Sequence, residues 1–476
     1  AKHKMAETKK SVAVVGTGIA GLSLTYLLSK EGYDVTVFEK HHGIGMDTHT
    51  VSVEGGNGEN VRLDAPPRSF SKAYYPNLME LYRIAGIQVE PWSWAWVAFW
   101  ADSREPIVRI GNHRFCGFAL PTYINLLKPW STVRMWIDGV RFMRSCQRDV
   151  VDELTLREHL AVLGVSDDFI YKLLLPSLSM VCTCSYDSCL DYPAALVMEF
   201  FSKTATFGQY RIKNGTSDAV KHLVADAAAQ HTGVQVTRVW SADVDSKAKV
   251  EYVDNKTRQV SLKEFDHVVM ATQANHARKI VADLDETVDK LLSSFKHETS
   301  TVVIHRDERV MPKEPSLWSP MSIGIESGTP SRNSMFTIWM NHAFPELEGN
   351  VFQTWNPVVE VDAKHMIGPR LEFERPVMTH ESLKSVVELR SFQGRGNIWY
   401  CGAWNAYRIP LQESGVVSAL EICRGICGKD VFGNWTHKES ETLSKPSEYP
   451  SGSRSALSLG VAALTTVAVV LFRRQL

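Results

Sequence analysis

No sign of charge dominates this chain: 52 Lys and Arg stand against 53 Asp and Glu, for a net charge of −1. That balance gives no electrostatic case for a nucleic-acid partner. Cysteine is scarce, at eight residues, unevenly spread, and Cys182, Cys184 and Cys189 cluster. They lack a second His or Cys pair at zinc-site spacing, so no metal is expected and free thiols in a reducing compartment are. The opening AKHKMAETKK has no apolar centre, so no signal peptide is expected there. Sequons at Asn214, Asn255 and Asn434 matter only in a lumenal protein. Long apolar runs are missing until Ser455–Phe472. What is present is ordinary globular composition, 44% hydrophobic and 22% charged, which excludes wholesale disorder. At 476 residues the chain exceeds one simple core, and two or three domains are expected.

The most informative stretch is Ser11–Lys40, SVAVVGTGIAGLSLTYLLSKEGYDVTVFEK. A β-branched run leads into Gly16-Thr17-Gly18-Ile19-Ala20-Gly21. Leucines at helical spacing follow, then a second strand ending at Glu39. The first Gly allows a tight turn, the second lets a pyrophosphate approach the backbone, and the third lets helix and strand pack closely. The helix start offers free N–H groups and partial positive charge. Glu39 lies 18 residues beyond Gly21, near the ~20 expected of an acid that binds a ribose hydroxyl. Dinucleotide binding is the expectation.

Downstream, His41–Thr50 reads as a polar loop on the cofactor side, carrying Gly45, Met46 and Thr48. Tyr74-Tyr75-Pro76-Asn77-Leu78 opens a helix toward Ile84. Trp92, Trp94 and Trp96 alternate, as on one face of a strand, where they form a core layer or a cavity wall. Pro121–Arg148 mixes aromatic and basic residues, in the manner of a lipid-facing amphipathic helix or an ordinary surface one. A helix is expected over 219–229. A small antiparallel set is expected over Gly233–Val239, Val250–Val253 and Val260–Leu262. Phe265–Thr272 is a strand entering an Ala271-Thr272 turn, and Thr301–Ile304 is another strand, ending at His305. Asn397–Trp404 is again strand-then-turn, and Val416–Cys427 is a helix. Residues 431–454 read as a Ser/Pro/Glu/Lys-rich linker.

These features in order resemble the amine-oxidase-like superfamily of FAD oxidoreductases. More specifically they resemble a subgroup associated with cyclopropane-fatty-acid synthases. The carriers are VAVVGTGIAGLSLTYLLSKEGYDVTVFEK, YYPNL, YKLLLPSLSMVCTCSYDSCLDYPA, NGTSDAV, VVIHRDERVMPKEPSLW, TIWMN, FQTWNP and NIWYCGAW. The resemblance implies FAD, with Gly16, Gly18, Ile19, Ala20 and Gly21 at the pyrophosphate and Glu39 with Lys40 at the adenosine ribose. It places Gly45, Met46 and Thr48 in the next phosphate-side turn and Val236 at the adenine. Ala271-Thr272 forms the second cofactor turn, and Gly402, Glu413, Gly415 and Val416 lie beside the flavin. It implies an α/β, Rossmann-like two-dinucleotide-binding flavoprotein fold with an interleaved α+β substrate domain. The cofactor domain would comprise 10–75, 210–298 and 390–430, and the substrate domain 76–209 and 299–389. The chain departs from the pattern at Met46 (usually Gly), at Asp64-Ala65-Pro66 (usually D-x-G) and over 406–415, where a His is missing. Ser300 and Thr301 stand near the position of the amine-oxidase Lys.

The flavin landmarks, the Trp-rich middle and the apolar C-terminal run together suggest hydride transfer between flavin N5 and an apolar, lipid-like substrate such as an unsaturated fatty-acyl chain. The candidates near the flavin are Tyr75, His305, Trp404 and Tyr407. An O2-using amine oxidase and a non-catalytic FAD-binding scaffold are the alternatives, and the electron acceptor is left open. Residues 455–472 span about 27 Å as a helix at ~1.5 Å per residue. They are expected to form a C-terminal transmembrane anchor, with the flavin domain facing the cytosol from the mitochondrial outer membrane, peroxisome or endoplasmic reticulum.

Overall fold

The computed structural model describes residues 9–429, apart from 57, 66, 94, 116–117, 125–128, 148–152, 205–207, 244–245 and 329–332. Its centre is a sheet of five parallel strands in the order Ala229–Thr232, Asp34–Glu39, Ser11–Val15, His267–Met270, Ile398–Tyr400. Val12–Val15 are almost wholly buried, as the apolar run of a parallel strand covered on both faces requires. The order runs outward in both directions from Ser11–Val15. The topological switch point therefore falls between that strand and His267–Met270, where open α/β sheets bind their ligands.

Helix Ile19–Lys30 crosses from the first strand to the second, and the last described helix, Gln412–Cys427, packs beside it. The latter ends at Gly428, whose φ of +68° closes it in the left-handed conformation. It starts four residues before the expected Val416, directly after Leu411, whose backbone is extended.

A second sheet of eight strands runs Leu371–Val377, Lys296–His305, Phe352–Trp355, Ser334–Trp339, Met321–Ile325, Trp96–Trp100, Pro106–Phe115, Phe118–Ile124. Its pairs are antiparallel except Met321–Ile325 with Trp96–Trp100. A three-stranded antiparallel set, Val234–Trp240, Ala248–Asp254 and Val260–Phe265, matches expectation.

Several expectations are corrected. Trp92 and Trp96 do not share a strand: Val89–Trp92 pairs in a three-stranded sheet and Trp96–Trp100 in the eight-stranded one. Trp94 lies outside the described residues. The helix expected over 219–229 is Thr216–Val224, and Ala229–Thr232 becomes the edge strand of the parallel sheet. There, pairing with Asp34–Glu39 outweighs helix propensity. The Pro121–Arg148 stretch divides into the end of a strand and the helix Pro129–Ser145.

The membrane anchor is corrected too. No helix among the described residues is long and apolar enough to cross a membrane, so a single-pass anchor, the membrane partner and the membrane localisation are not supported. The longest described helix, Pro129–Ser145, carries Arg134, Asp138, Arg141 and Arg144; such charges oppose burial in hydrocarbon. The 455–472 run and the 431–454 linker lie outside the described residues.

Candidate active site

The glycine turn is shaped by close backbone approach. Gly16 has φ +98°, and a Cβ there would stand 2.7 Å from the Ala271 carbonyl oxygen. A Cβ on Gly21 would stand 2.1 Å from the Gly16 oxygen. These two glycines let the first helix and the Ala271-Thr272 turn close on the strand end. Gly18 differs: it is exposed, with nothing within 4 Å of its Cβ position. It caps helix Ile19–Lys30 with no side chain across the helix start. This is the cradle a pyrophosphate needs, with backbone N–H groups at a positive helix end and no side chain in the way.

Glu39 is buried at the tip of the second strand. Its carboxylate accepts from the Thr17 N–H (3.2 Å), the Thr17 hydroxyl (2.5 Å) and the His41 N–H (3.0 Å). A carboxylate offers about four lone-pair positions, so three donors leave one for a ribose hydroxyl. The Gly45 N–H donates to the Thr17 hydroxyl at 2.8 Å, and a Cβ on Gly45 would lie 2.0 Å from the Thr17 carbonyl oxygen. The 43–48 loop therefore seals one side of the turn, and Thr48 holds it by donating to the Gly43 carbonyl (3.0 Å). The residues present fit a dinucleotide.

The other expected cofactor residues stand in several different settings. Gly415 packs on Ile19 and Ala20, where its Cβ would meet Ile19 at 2.7 Å; the starts of the two helices thus converge. Thr272 and Gly402 are joined through Trp404, whose indole N–H donates to the Thr272 carbonyl (2.9 Å) and which fills the space beside Gly402. Met46, Val236 and Val416 are core residues. Lys40 is exposed, and its carbonyl accepts from Asn255 at 2.9 Å. Glu413 points elsewhere: its carboxylate accepts from the N–H groups of Asn77 (3.1 Å) and Leu78 (2.9 Å) and the Asn77 amide (2.7 Å). It caps helix Pro76–Ile84 from outside, and burial raises its carboxyl to about 7 against the opposing pull of Arg408.

The structure also holds a cavity of about 950 Å³. The eight-stranded sheet contributes Trp96, Ile110, Met321, Phe336, Ile338 and Trp355. Helices contribute Trp136, Phe142, Phe169, Met180, Phe200 and Phe201. Segments leading to the parallel sheet contribute Asp64, Arg68, Tyr75, Thr216, Leu411 and Gln412. Trp92 lines it as well, so the two described tryptophans of the alternating run reach one cavity from different sheets. The apolar face of Pro129–Ser145 is spent on this wall through Trp136, Val140 and Met143.

Of the four catalytic candidates, Tyr75 alone lines the cavity. Its phenol is raised by burial, reinforced by Glu413, and so stays protonated. His305 is fully buried away from it. Its Nδ1 accepts the Asp307 N–H (3.0 Å), which leaves Nε2–H to donate to Thr354 (2.8 Å). Burial lowers it to about 4, so it is neutral. Trp404 is buried against Phe295, with ring centroids 4.6 Å apart. Tyr407 packs on the main core. Sequence reasoning missed Arg68 and Arg375, which both line the cavity. Arg68 lies just after the Asp64-Ala65-Pro66 departure and carries no motif of its own, and nothing in the LEFERPV strand marks Arg375.

Fold and site together define a class: a mixed α/β protein built around a Rossmann-like dinucleotide-binding domain. A family model for an NAD(P)-binding Rossmann-like domain matches residues 14–85. A search of curated proteins finds no match. Among solved structures, a CLA-producing fatty acid isomerase from P. acnes is similar over 89% of this chain and 98% of its own, at TM-score 0.57 and 15% identity. An oxidoreductase from Methanosarcina mazei matches over 86% and 100%, at 0.58 and 13%. Cyclohexylamine oxidase from Brevibacterium oxydans IH-35A matches over 88% and 99%, at 0.56 and 13%. At these identities the likeness is one of fold.

Proposed function

We propose that this chain binds FAD at the Gly16–Gly21 turn and carries out redox chemistry on an apolar, lipid-like substrate held in the aromatic cavity. The observation that carries this reading is the cavity itself: about 950 Å³, walled by Trp, Phe, Met and Leu, and reached by Gln412 at the start of the helix whose Gly415 packs on Ile19 and Ala20. That is the upper end of the usual ligand-site range of about 300–1,000 Å³. When bound, FAD supplies two-electron transfer, and the protein supplies placement and electrostatics. Gly16, Gly18 and Gly21 shape the pyrophosphate cradle, and Glu39 meets the ribose. Trp96, Trp136, Phe200 and Phe336 exclude water and hold an alkyl chain by dispersion and burial. Tyr75, kept protonated, is the one candidate able to donate a hydrogen bond into the cavity. The motif resemblance to the cyclopropane-synthase-associated subgroup supports a fatty-acyl substrate over a small polar one.

The test is anaerobic mixing of the purified full-length protein with unsaturated lipid fractions and, separately, with amines. Loss of the oxidised flavin bands with lipid, or conversion of the lipid's double bonds at constant flavin colour, is the expected result. Bleaching by amines alone refutes the substrate reading.

A further inference from the structure

The cavity is apolar in wall but not neutral in charge. Six cationic side chains line it, Arg62, Arg68, Arg211, Lys213, Lys221 and Arg375, against the acids Asp64 and Asp218. Arg62 is paired with Asp47, and Arg211 with Glu90. Arg68 and Arg375 have no ion pair among the described residues, and the Nε atom of each is buried without a hydrogen-bond partner.

The acids that would neutralise them are committed elsewhere. Arg375 stands opposite Glu298 across the strand pair. That carboxylate instead accepts from the Ser185 N–H and hydroxyl, both at 2.8 Å, and from the Ser188 hydroxyl, holding the start of helix Tyr186–Asp191. The acid near Arg68 is Asp64, which accepts from the Thr216 N–H (2.9 Å) and hydroxyl (2.7 Å) at another helix start. Arg375 is braced over Trp355 (5.1 Å to the ring centre) and Phe373 (5.9 Å). It is thereby held in place without being neutralised. Burial first, and the charge of Arg68 second, lower Arg375 to about 10, so it stays charged at neutral pH. Two guanidiniums that repel one another in an apolar enclosure are costly unless a ligand supplies the missing charge.

We infer that Arg68 and Arg375 form an anion site that receives the acidic head, carboxylate or phosphate, of an amphiphile whose alkyl chain fills the aromatic part of the cavity. This rests on the reading of the cavity as a substrate site and narrows the substrate from lipid-like to anionic. The planar fork of each arginine suits oxygen pairs of this kind. The same charges disfavour a protonated amine.

Isothermal titration calorimetry of the full-length protein with decanoate, decyl phosphate, decanol and decylamine tests this. At least one anion is expected to bind more than about ten-fold tighter than decanol, the scale of one charged hydrogen bond, and decylamine weakest of all. Whichever anion leads identifies the head group. Arg375→Gln and Arg68→Gln should each cut the anion-to-alcohol ratio by about ten-fold while decanol affinity stays within about two-fold. Equal affinity for acids and alcohol in the wild type, which needs no variant, overturns the inference. So does an unchanged ratio in both variants, including the case where they alter only flavin affinity or potential, which would assign the pair to the cofactor. A purified protein that neither holds flavin nor takes up added FAD would refute the redox reading separately, since the anion-to-alcohol ratio is measurable on flavin-free protein.

Discussion

Adding one methyl group at Gly18 and one at Gly21 should have opposite consequences, and the pair separates folding from cofactor binding. At Gly21 the new Cβ would lie 2.1 Å from the Gly16 carbonyl oxygen, 3.1 Å from its carbon and 3.2 Å from the Ala271 Cβ. The obstacle is backbone, so helix Ile19–Lys30 must lift by about an ångström from the strand end. Overpacking of that kind costs about 1–3 kcal/mol. At Gly18 the Cβ position is empty, and φ −62°, ψ 178° is open to any residue. Losing a glycine helix cap costs roughly 0.5–1 kcal/mol, and the lower entropy of the unfolded chain returns about 0.4–1 kcal/mol. Gly18→Ala should therefore fold with nearly wild-type stability. Its methyl group nevertheless stands where a pyrophosphate would reach the backbone. The loss of one hydrogen bond to a charged group, about 1.5–3 kcal/mol, weakens FAD binding by about ten- to a hundred-fold. Urea unfolding of flavin-free protein reads the first quantity, and fluorescence titration with FAD reads the second. Wild-type FAD affinity in a folded Gly18→Ala protein would refute the assignment of the turn. So would an undisturbed Gly21→Ala.

Two buried groups should give the stability profile opposite slopes. Glu413 is held in the fold at about 7, above its ordinary 4.5, so the folded state retains a proton that the unfolded state has released. Its favourable contribution is complete below 4.5 and is lost as pH rises to about 7, by about 3 kcal/mol at most; Glu413→Gln should flatten urea midpoints over that window. His305 is held at about 4, below its ordinary 6.5, so here the unfolded state takes up the proton first. Stability is whole above 6.5 and falls by up to about 3 kcal/mol as pH drops to about 4. His305→Gln, which can still accept from Asp307 and donate to Thr354, should remove that fall.

The parallel sheet was legible because its central strand carries a motif whose parts each have one physical task, and because Phe265–Thr272 and Asn397–Trp404 repeat the strand-then-turn pattern. The edge strand Ala229–Thr232 was not, since AQHT has helix-compatible residues and becomes a strand only by pairing with Asp34–Glu39. The alternating tryptophans pointed to a shared surface, yet period two said nothing of the break that sends Trp92 and Trp96 to different sheets. Glu413 shows the limit of carrying a role by position, because its neighbour Gly415 meets the first helix while its own side chain turns to Asn77. The arginine pair was invisible in sequence: Arg68 and Arg375 lie 307 residues apart, and their meaning rests on Glu298 and Asp64 being engaged elsewhere.

FAD at the Gly16–Gly21 turn is tested most directly by the visible absorbance of purified wild-type and Gly18→Ala proteins, followed by heat release and identification of the bound nucleotide. The expected result is flavin absorbance with about one FAD per wild-type chain and little in the variant. A colourless wild-type protein that takes up no added FAD, or equal FAD in both proteins, would contradict it.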